Sequence, residues 1–125
     1  MNHHLMVVED DPGARRALGA IFSSRGWTVC SAASVAEAEE LLDRDPEPEA
    51  LILDLTLPDG SGEAVLRKVR AEGLGTHVTV CTGSTDPRVM MKVRALKPDL
   101  LLIKPVCAEV LYNLCMHWTS ASDRQ

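Results

Sequence analysis

The middle of the chain reads Leu51-Ile52-Leu53-Asp54 and then turns through Leu57-Pro58-Asp59-Gly60-Ser61-Gly62. A short continuous apolar run is typical of a strand that is covered on both faces, and proline and glycine mark the turn after it. This pattern places the Asp54 carboxylate at the carboxyl end of a buried strand. Open α/β sheets carry their reactive groups at that edge.

Three more apolar runs end in polar side chains. Glu9-Asp10-Asp11 follows Leu5–Val8, Thr82 follows Val78–Cys81, and Lys104-Pro105 follows Leu100–Ile103. A weaker, mixed run at Thr28–Ser31 predicts a fifth strand, at an edge of the sheet. If the strands are parallel, the acids, the hydroxyl and the lysine all meet at one edge.

Helix signals lie between these runs. Asp11-Pro12 and Asp86-Pro87 each combine an N-cap with a proline at the first helical position, and Ser34-Val35-Ala36-Glu37 is a capping box. Two further helices are predicted over about 63–72 and about 108–118. Alternating strands and helices predict an α/β fold, a (βα)5 doubly wound five-stranded parallel sheet with helices on both faces. An eight-stranded barrel would need about 250 residues.

Composition favours a single globular domain. The chain has 125 residues, with 46% hydrophobic and 25% charged, and a net charge of -5 that argues against a nucleic-acid partner. Pairs such as Arg15-Arg16 look like solvated helix faces. We predict a domain over residues 1–118, followed by a polar tail or the start of a linker over 119–125.

The same composition bears on location. No apolar run is long enough to span a membrane, and the N-terminus lacks the features of a signal peptide. The four cysteines have no metal-type spacing, and their apolar settings predict small, reduced core residues. These features predict a cytoplasmic protein.

The polar strand ends suit phosphoryl chemistry. Crowded carboxylates from Glu9, Asp10 and Asp54 would repel one another, and Mg²⁺ (or Mn²⁺) would relieve that repulsion. An oxygen of Asp54 could then attack phosphorus and form an acyl phosphate, with Lys104 and Thr82 neutralising the phosphoryl oxygens. Taken singly, Lys104 could be a surface cation and Thr82 an ordinary β-branched strand residue.

These residues, in this order and spacing, resemble the receiver domain of two-component response regulators. The resemblance covers essentially the whole chain, from Val7-Val8-Glu9-Asp10 to Lys104-Pro105. It implies a CheY-like, flavodoxin-like three-layer sandwich. It also implies a signalling domain that catalyses only its own phosphorylation and dephosphorylation.

Site roles follow from the resemblance. Asp54 would be the phosphoacceptor, served by a histidine kinase, a phosphotransfer protein or a small acyl phosphate. Glu9 and Asp10 would hold magnesium with Asp54, and Thr82 and Lys104 would contact the phosphoryl group. The bond before Pro105 is expected to be cis. Thr56 and Ser84, two residues beyond Asp54 and Thr82, are expected to tune the lifetime of the acyl phosphate.

One departure concerns the signal relay. The family usually has Tyr or Phe at the switch position that works with Thr82, and here that position is Leu101; Val106 also stands where Phe is common. The face made by the fourth helix, fifth strand and fifth helix would meet an output domain or effector protein. Met91, Val110 and Met116 are candidates for exposed apolar residues on it.

The sequence is compatible with three functions. The first is a phosphorylation switch, and the second is an interaction domain that works without phosphorylation because of Leu101. The third is an enzyme, either a phosphatase with Asp54 as nucleophile or a flavodoxin-like nucleotide binder. Asp54-Leu55-Thr56 lacks the second aspartate of such phosphatases, and the acids at residues 9–11 would repel a cofactor phosphate. We expect neither a membrane nor nucleic acid as a direct partner of this domain.

Overall fold

The computed structural model describes residues 3–44 and 47–123. The strands are β1 (His4–Val8), β2 (Thr28–Ala32), β3 (Ala50–Asp54), β4 (Thr56–Leu57), β5 (Gly60–Ser61), β6 (His77–Thr82) and β7 (Leu100–Ile103). The helices are α1 (Pro12–Ser24), α2 (Val35–Arg44), α3 (Glu63–Ala71), α4 (Pro87–Ala95) and α5 (Ala108–Asp123). Within the described residues, no helix is both long and apolar enough to cross a bilayer.

The main sheet has five strands in the order β2-β1-β3-β6-β7, and all neighbours are parallel. The predicted doubly wound α/β fold is confirmed, with β2 at an edge as its mixed sequence indicated. Strands β4 and β5 form a small antiparallel ribbon in the turn after β3. The carboxyl ends of β1, β3, β6 and β7 therefore lie along one edge of the sheet.

Two apolar clusters cover the two faces of the sheet. Leu51 and Leu53 of β3 pack in the cluster that faces α2, α3 and α4, whereas Ile52 packs in the cluster that faces α1 and α5. Because side chains alternate along a strand, Asp54 points to the same side as Ile52. By the same alternation, Thr82 of β6 points to the side of Leu53.

The caps predicted for two helices are present. The Asp11 carboxylate accepts from the N–H of Ala14 at 2.8 Å, and the Asp86 carboxylate accepts from the N–H of Arg88 at 2.9 Å. In each case the next residue is a proline at the start of the helix. The start of α1, just after the acidic residues that follow β1, is therefore fixed locally.

The structure differs from the sequence expectations at three places. Helix α5 ends at Asp123 rather than near Trp118, because Thr119-Ser120-Ala121 contains no glycine or proline to end it; residues 124 and 125 lie outside the described residues. Cys107 is exposed, against the expectation of a buried thiol, because it lies in the loop before α5. Met116 is half-buried against the core, whereas Met91 and Val110 are 72% and 50% exposed.

Candidate functional site

Asp54 is the last residue of β3 and is only 6% exposed. Its Oδ1 accepts a hydrogen bond from the backbone N–H of Thr56 at 3.1 Å, and its Oδ2 accepts one from Lys104 Nζ at 3.1 Å. One backbone donor and one cation thus fix the orientation of the carboxylate. A nucleophile held in this way needs little rearrangement before attack.

The turn after Asp54 folds back onto the backbone of that residue at Gly62. The N–H of Gly62 donates to the Leu55 carbonyl at 2.9 Å, and a Cβ at Gly62 would overlap the Asp54 carbonyl oxygen. Only glycine permits backbone approach this close. Gly62 therefore fixes the position of the backbone that carries the Asp54 carboxylate.

Lys104 links two carboxylates at the sheet edge. Its Nζ donates to Glu9 Oε1 at 2.9 Å and to Asp54 Oδ2 at 3.1 Å, and its backbone N–H donates to the Thr82 carbonyl at 2.8 Å. Burial lowers the pKa of Lys104, but the hydrogen bonds and charges of Glu9 and Asp54 outweigh it and raise that pKa overall. The bond between Lys104 and Pro105 is cis, as the family resemblance implied.

Three acids gather around this lysine. One ligand oxygen from each of Glu9, Asp10 and Asp54 lies within 4.8 Å of the other two. Glu9 and Asp54 are buried, and Asp10 is exposed at the rim. Burial, and next the neighbouring Asp54 carboxylate, raise the pKa of Glu9 to about 7 despite the opposing effect of Lys104.

The donor set fits a hard divalent cation. Glu9 Oε2 is buried and has no hydrogen-bond partner among the described residues, so one strong acceptor in the cluster is left unsatisfied. Magnesium prefers carboxylate oxygens and keeps several waters, and the exposed side of Asp10 leaves room for them. Glu9, Asp10 and Asp54 could therefore hold Mg²⁺.

Thr82 and Ser84 are joined by a hydrogen bond at the end of the strand next to β3. Thr82 is buried at the end of β6, and its Oγ1 accepts from the N–H of Ser84 at 3.0 Å. Asp54 pairs in register with Cys81, which places Thr82 one residue further along the adjacent strand. Thr56, exposed on the turn after Asp54, donates its backbone N–H to that carboxylate.

Leu101 lies in β7 and pairs in register with Val80 of β6. It is half-buried and packs against the apolar cluster together with Val89 and Leu96 of the α4 region. The Leu101 side chain therefore belongs to the apolar packing on the face of the sheet that α4 covers.

Two contributors were not predicted from the sequence. Arg15 is half-buried rather than fully solvated, and its Nη1 donates to the carbonyls of Glu9 at 2.8 Å and Asp10 at 3.3 Å. Asp59 accepts from the N–H groups of Val35 at 2.8 Å and Ala36 at 3.0 Å, which caps α2 from the turn after Asp54. A half-buried arginine six residues after a strand-end acid offers no distinctive pattern, and the α2 cap spans 24 residues of sequence.

Comparison with known proteins agrees with this geometry. Residues 5–115 match the response regulator receiver domain family. The TorCAD operon transcriptional regulatory protein TorR of Escherichia coli O157:H7 is 34% identical over 69% of this chain and 36% of its own length. The acid tolerance regulatory protein ActR of Rhizobium meliloti is 35% identical over 84% of this chain and 54% of its own length.

A solved structure shares the fold closely. The CheY-like response regulator receiver domain protein from Methanospirillum hungatei JF-1 has a TM-score of 0.90 and 19% identity, and the match covers 99% of this chain and 98% of that one. In contrast, this chain spans only about a third (36%) of the TorR protein. The similarity to TorR therefore concerns one part of that longer regulator.

Proposed function

This chain belongs to the response regulator receiver domain family, and from that premise we propose that it accepts a phosphoryl group on Asp54 in a magnesium-dependent reaction. The observation that carries the proposal is the Lys104 ammonium, which lies 3.1 Å from Asp54 Oδ2 and 2.9 Å from Glu9 Oε1. If Lys104 only formed a structural ion pair with Asp54, the site would not need two further acids, Glu9 and Asp10, beside Asp54.

The reaction needs a nucleophile, charge neutralisation and a fixed geometry. An Asp54 oxygen attacks phosphorus, the bond to the donor nitrogen or oxygen breaks, and the donor leaves with that electron pair. Bound Mg²⁺, held by Glu9, Asp10 and Asp54, would neutralise charge on the phosphoryl oxygens. Lys104 adds a fixed cation, and the Thr56 N–H keeps the carboxylate oriented.

Thr82 lies at the same sheet edge as Asp54 but points to the opposite face of the sheet, so its side chain would have to turn toward that edge to reach a phosphoryl group. Its hydroxyl now accepts a hydrogen bond from Ser84 N–H, so its proton is free to point toward a phosphoryl oxygen. We propose that Thr82 donates to the phosphoryl group and that Thr56 and Ser84 influence access of water. The donor would be a histidine kinase or phosphotransfer protein, and the domain would turn over no other substrate.

Beryllofluoride with magnesium tests this proposal, because it mimics a phosphoryl group on a carboxylate. We expect amide NMR signals near Asp54, Thr82 and Lys104 to shift in the unaltered chain and not in Asp54→Asn. The exposed Asp43→Asn variant is a matched control and should respond as the unaltered chain does. No shift with the unaltered chain would sink the proposal.

A second function is favoured by Leu101. A leucine has no ring to reorient and no hydroxyl to exchange between partners, so a modified Asp54 could leave the face of α4, β7 and α5 unchanged. The domain would then bind its output domain or effector without regard to phosphorylation. In that case beryllofluoride would shift only the amide NMR signals of residues near Asp54. The signals of α4 and α5 would shift only in a Leu101→Tyr variant.

A further inference from the structure

A cleft of about 470 Å³ opens between α1 and α5 directly beside Asp54. Its side walls are apolar and consist of Ala14, Ala17 and Leu18 on one side and Val106, Ala108 and Leu111 on the other. Asp54, Glu9 and Lys104 line the same cleft. One continuous space therefore joins the proposed phosphoacceptor to an apolar chamber.

The cleft stays open because large side chains join the two helices elsewhere. Arg25 pairs with Glu109 at 2.8 Å and lies 4.4 Å from the ring centre of Tyr112, which also packs edge-on against Phe22. Phe22 and Arg25 lie at the C-terminal end of α1, whereas Ala14 and Ala17 lie in its first half. Small side chains at those two positions leave the space beside Asp54 unfilled.

We propose that this cleft binds the apolar acyl group of a small-molecule phosphodonor, namely an acyl phosphate with an aromatic or branched acyl part. The inference rests on the proposed function, since it assigns a binding site to the leaving group of that reaction. A phosphoryl group on its way to Asp54 would lie at the edge of the cleft, because Asp54 and Lys104 both line it. The volume of the cleft lies in the range of about 300–1,000 Å³ that is typical of small-molecule sites.

The chemistry of the walls selects among donors. Apart from the polar groups at Asp54, Glu9 and Lys104 and the Asp11 carboxylate, the lining is apolar, so it offers no complement to a charged acyl group. A methyl group, as in acetyl phosphate, covers little of the walls, whereas a phenyl group would cover much more. Burying about 60 Å² of additional apolar surface corresponds to roughly a tenfold gain in binding.

The transfer step is balanced without another reactant. The Asp54 carboxylate oxygen forms a bond to phosphorus while the bond between phosphorus and the acyl oxygen breaks. The acyl oxygen keeps the electron pair, so the products are a free carboxylate in the cleft and the acyl phosphate of Asp54. No net proton transfer is required.

The test compares benzoyl phosphate with acetyl phosphate as donors to the full chain in the presence of Mg²⁺. Intact-mass spectrometry follows the phosphoprotein, and the readout is the ratio of the two second-order rates. Ala17→Leu fills the cleft, and we expect it to lower the benzoyl-to-acetyl ratio about tenfold. Ala20→Leu makes the same change at an exposed position of α1 outside the cleft lining and should keep the ratio of the unaltered chain.

The outcomes separate this inference from the proposed function. Equal ratios in the unaltered chain and Ala17→Leu would overturn the cleft assignment even if both donors phosphorylate Asp54. Reaction with neither donor, together with a normal beryllofluoride response, would also overturn the cleft assignment and leave the phosphoacceptor proposal standing. Loss of the beryllofluoride response itself would reject the proposed function. If Ala17→Leu fails to fold, Val106→Phe fills the opposite wall and takes its place.

Discussion

Replacing Gly62 by alanine perturbs the site without changing any of its charges. The new methyl group would overlap the Asp54 carbonyl oxygen, and it would lie 3.0 Å from the Asp54 carbonyl carbon and 3.1 Å from Leu53 Cδ1. The atoms it meets first are backbone, which cannot move aside as a flexible side chain can. The end of β3 or the turn after it must therefore shift.

The size of the shift follows from ordinary contact distances. Non-bonded carbons prefer a separation of about 3.5 Å, so the carbonyl carbon must move by about half an ångström and its oxygen by more. Overpacking of this kind typically costs about 1–3 kcal/mol, which corresponds to a fall in Tm of roughly 4–12 °C for a domain of this size. Misplacing the nucleophile by up to about 1 Å should slow its phosphorylation at least about tenfold.

Two assays check the Gly62→Ala prediction. Thermal unfolding gives the change in stability, and intact-mass spectrometry with acetyl phosphate and Mg²⁺ gives the phosphorylation rate. Gly19→Ala is the matched control. Gly19 lies within α1, and a Cβ added there would make only an ordinary contact with Val29 Cγ1 at 3.9 Å. We expect this variant to keep or raise the stability of the domain. A Gly62→Ala variant with unaltered Tm and rate would refute the reasoning about the close approach.

Three further perturbations address the groups around Asp54. Lys104→Met removes the cation beside the acids, so Mg²⁺ should bind more tightly by titration calorimetry while phosphorylation slows by about 10²-fold; a parallel loss of both would contradict the assigned role. Arg15→Ala frees the carbonyls of residues 9 and 10, and Mg²⁺ affinity should fall about tenfold, with Arg16→Ala as the control; tighter binding would mean that only the charge of Arg15 matters. Asp59→Ala should lower Tm at neutral pH, because the Ala36 and Val35 N–H groups lower the pKa of Asp59 from 3.8 and its stabilisation is lost as the pH falls through that lowered pKa. The difference in Tm between Asp59→Ala and the unaltered chain should therefore be present at neutral pH and disappear at acid pH. The same difference at both pH values would rule out a charged cap.

The fold was predictable because its signals are local and agree with one another. Four apolar runs and two Asp-Pro caps define strands and helix starts, and parallel pairing then brings the strand ends together. The position of Asp54 beside Lys104 followed from that topology, although the two residues are separated by 50 positions. To predict which distant residues meet, only the order of the strands in the sheet had to be known, and the alternation of strands and helices leaves few possible orders.

Other features could not be predicted because they depend on distances between elements. The Arg15 contacts and the Asp59 cap rely on the placement of loops relative to helices. The cleft depends on where α1 and α5 touch, which the contacts of Arg25 and Phe22 decide. The end of α5 was misplaced because polar residues without glycine or proline give no clear stop signal. The cytoplasmic location and the division at residue 118 stay predictions.

Chemical mapping of the phosphoryl group tests the central claim most directly. After reaction with an acyl phosphate and Mg²⁺, borohydride reduces an aspartyl phosphate to homoserine, which peptide mass spectrometry locates in the sequence. Asp54 is predicted to be converted to homoserine only when Mg²⁺ is present, and no other acid in the chain is predicted to change. Conversion of another acid in place of Asp54, or conversion at Asp54 without any divalent metal, would contradict the account.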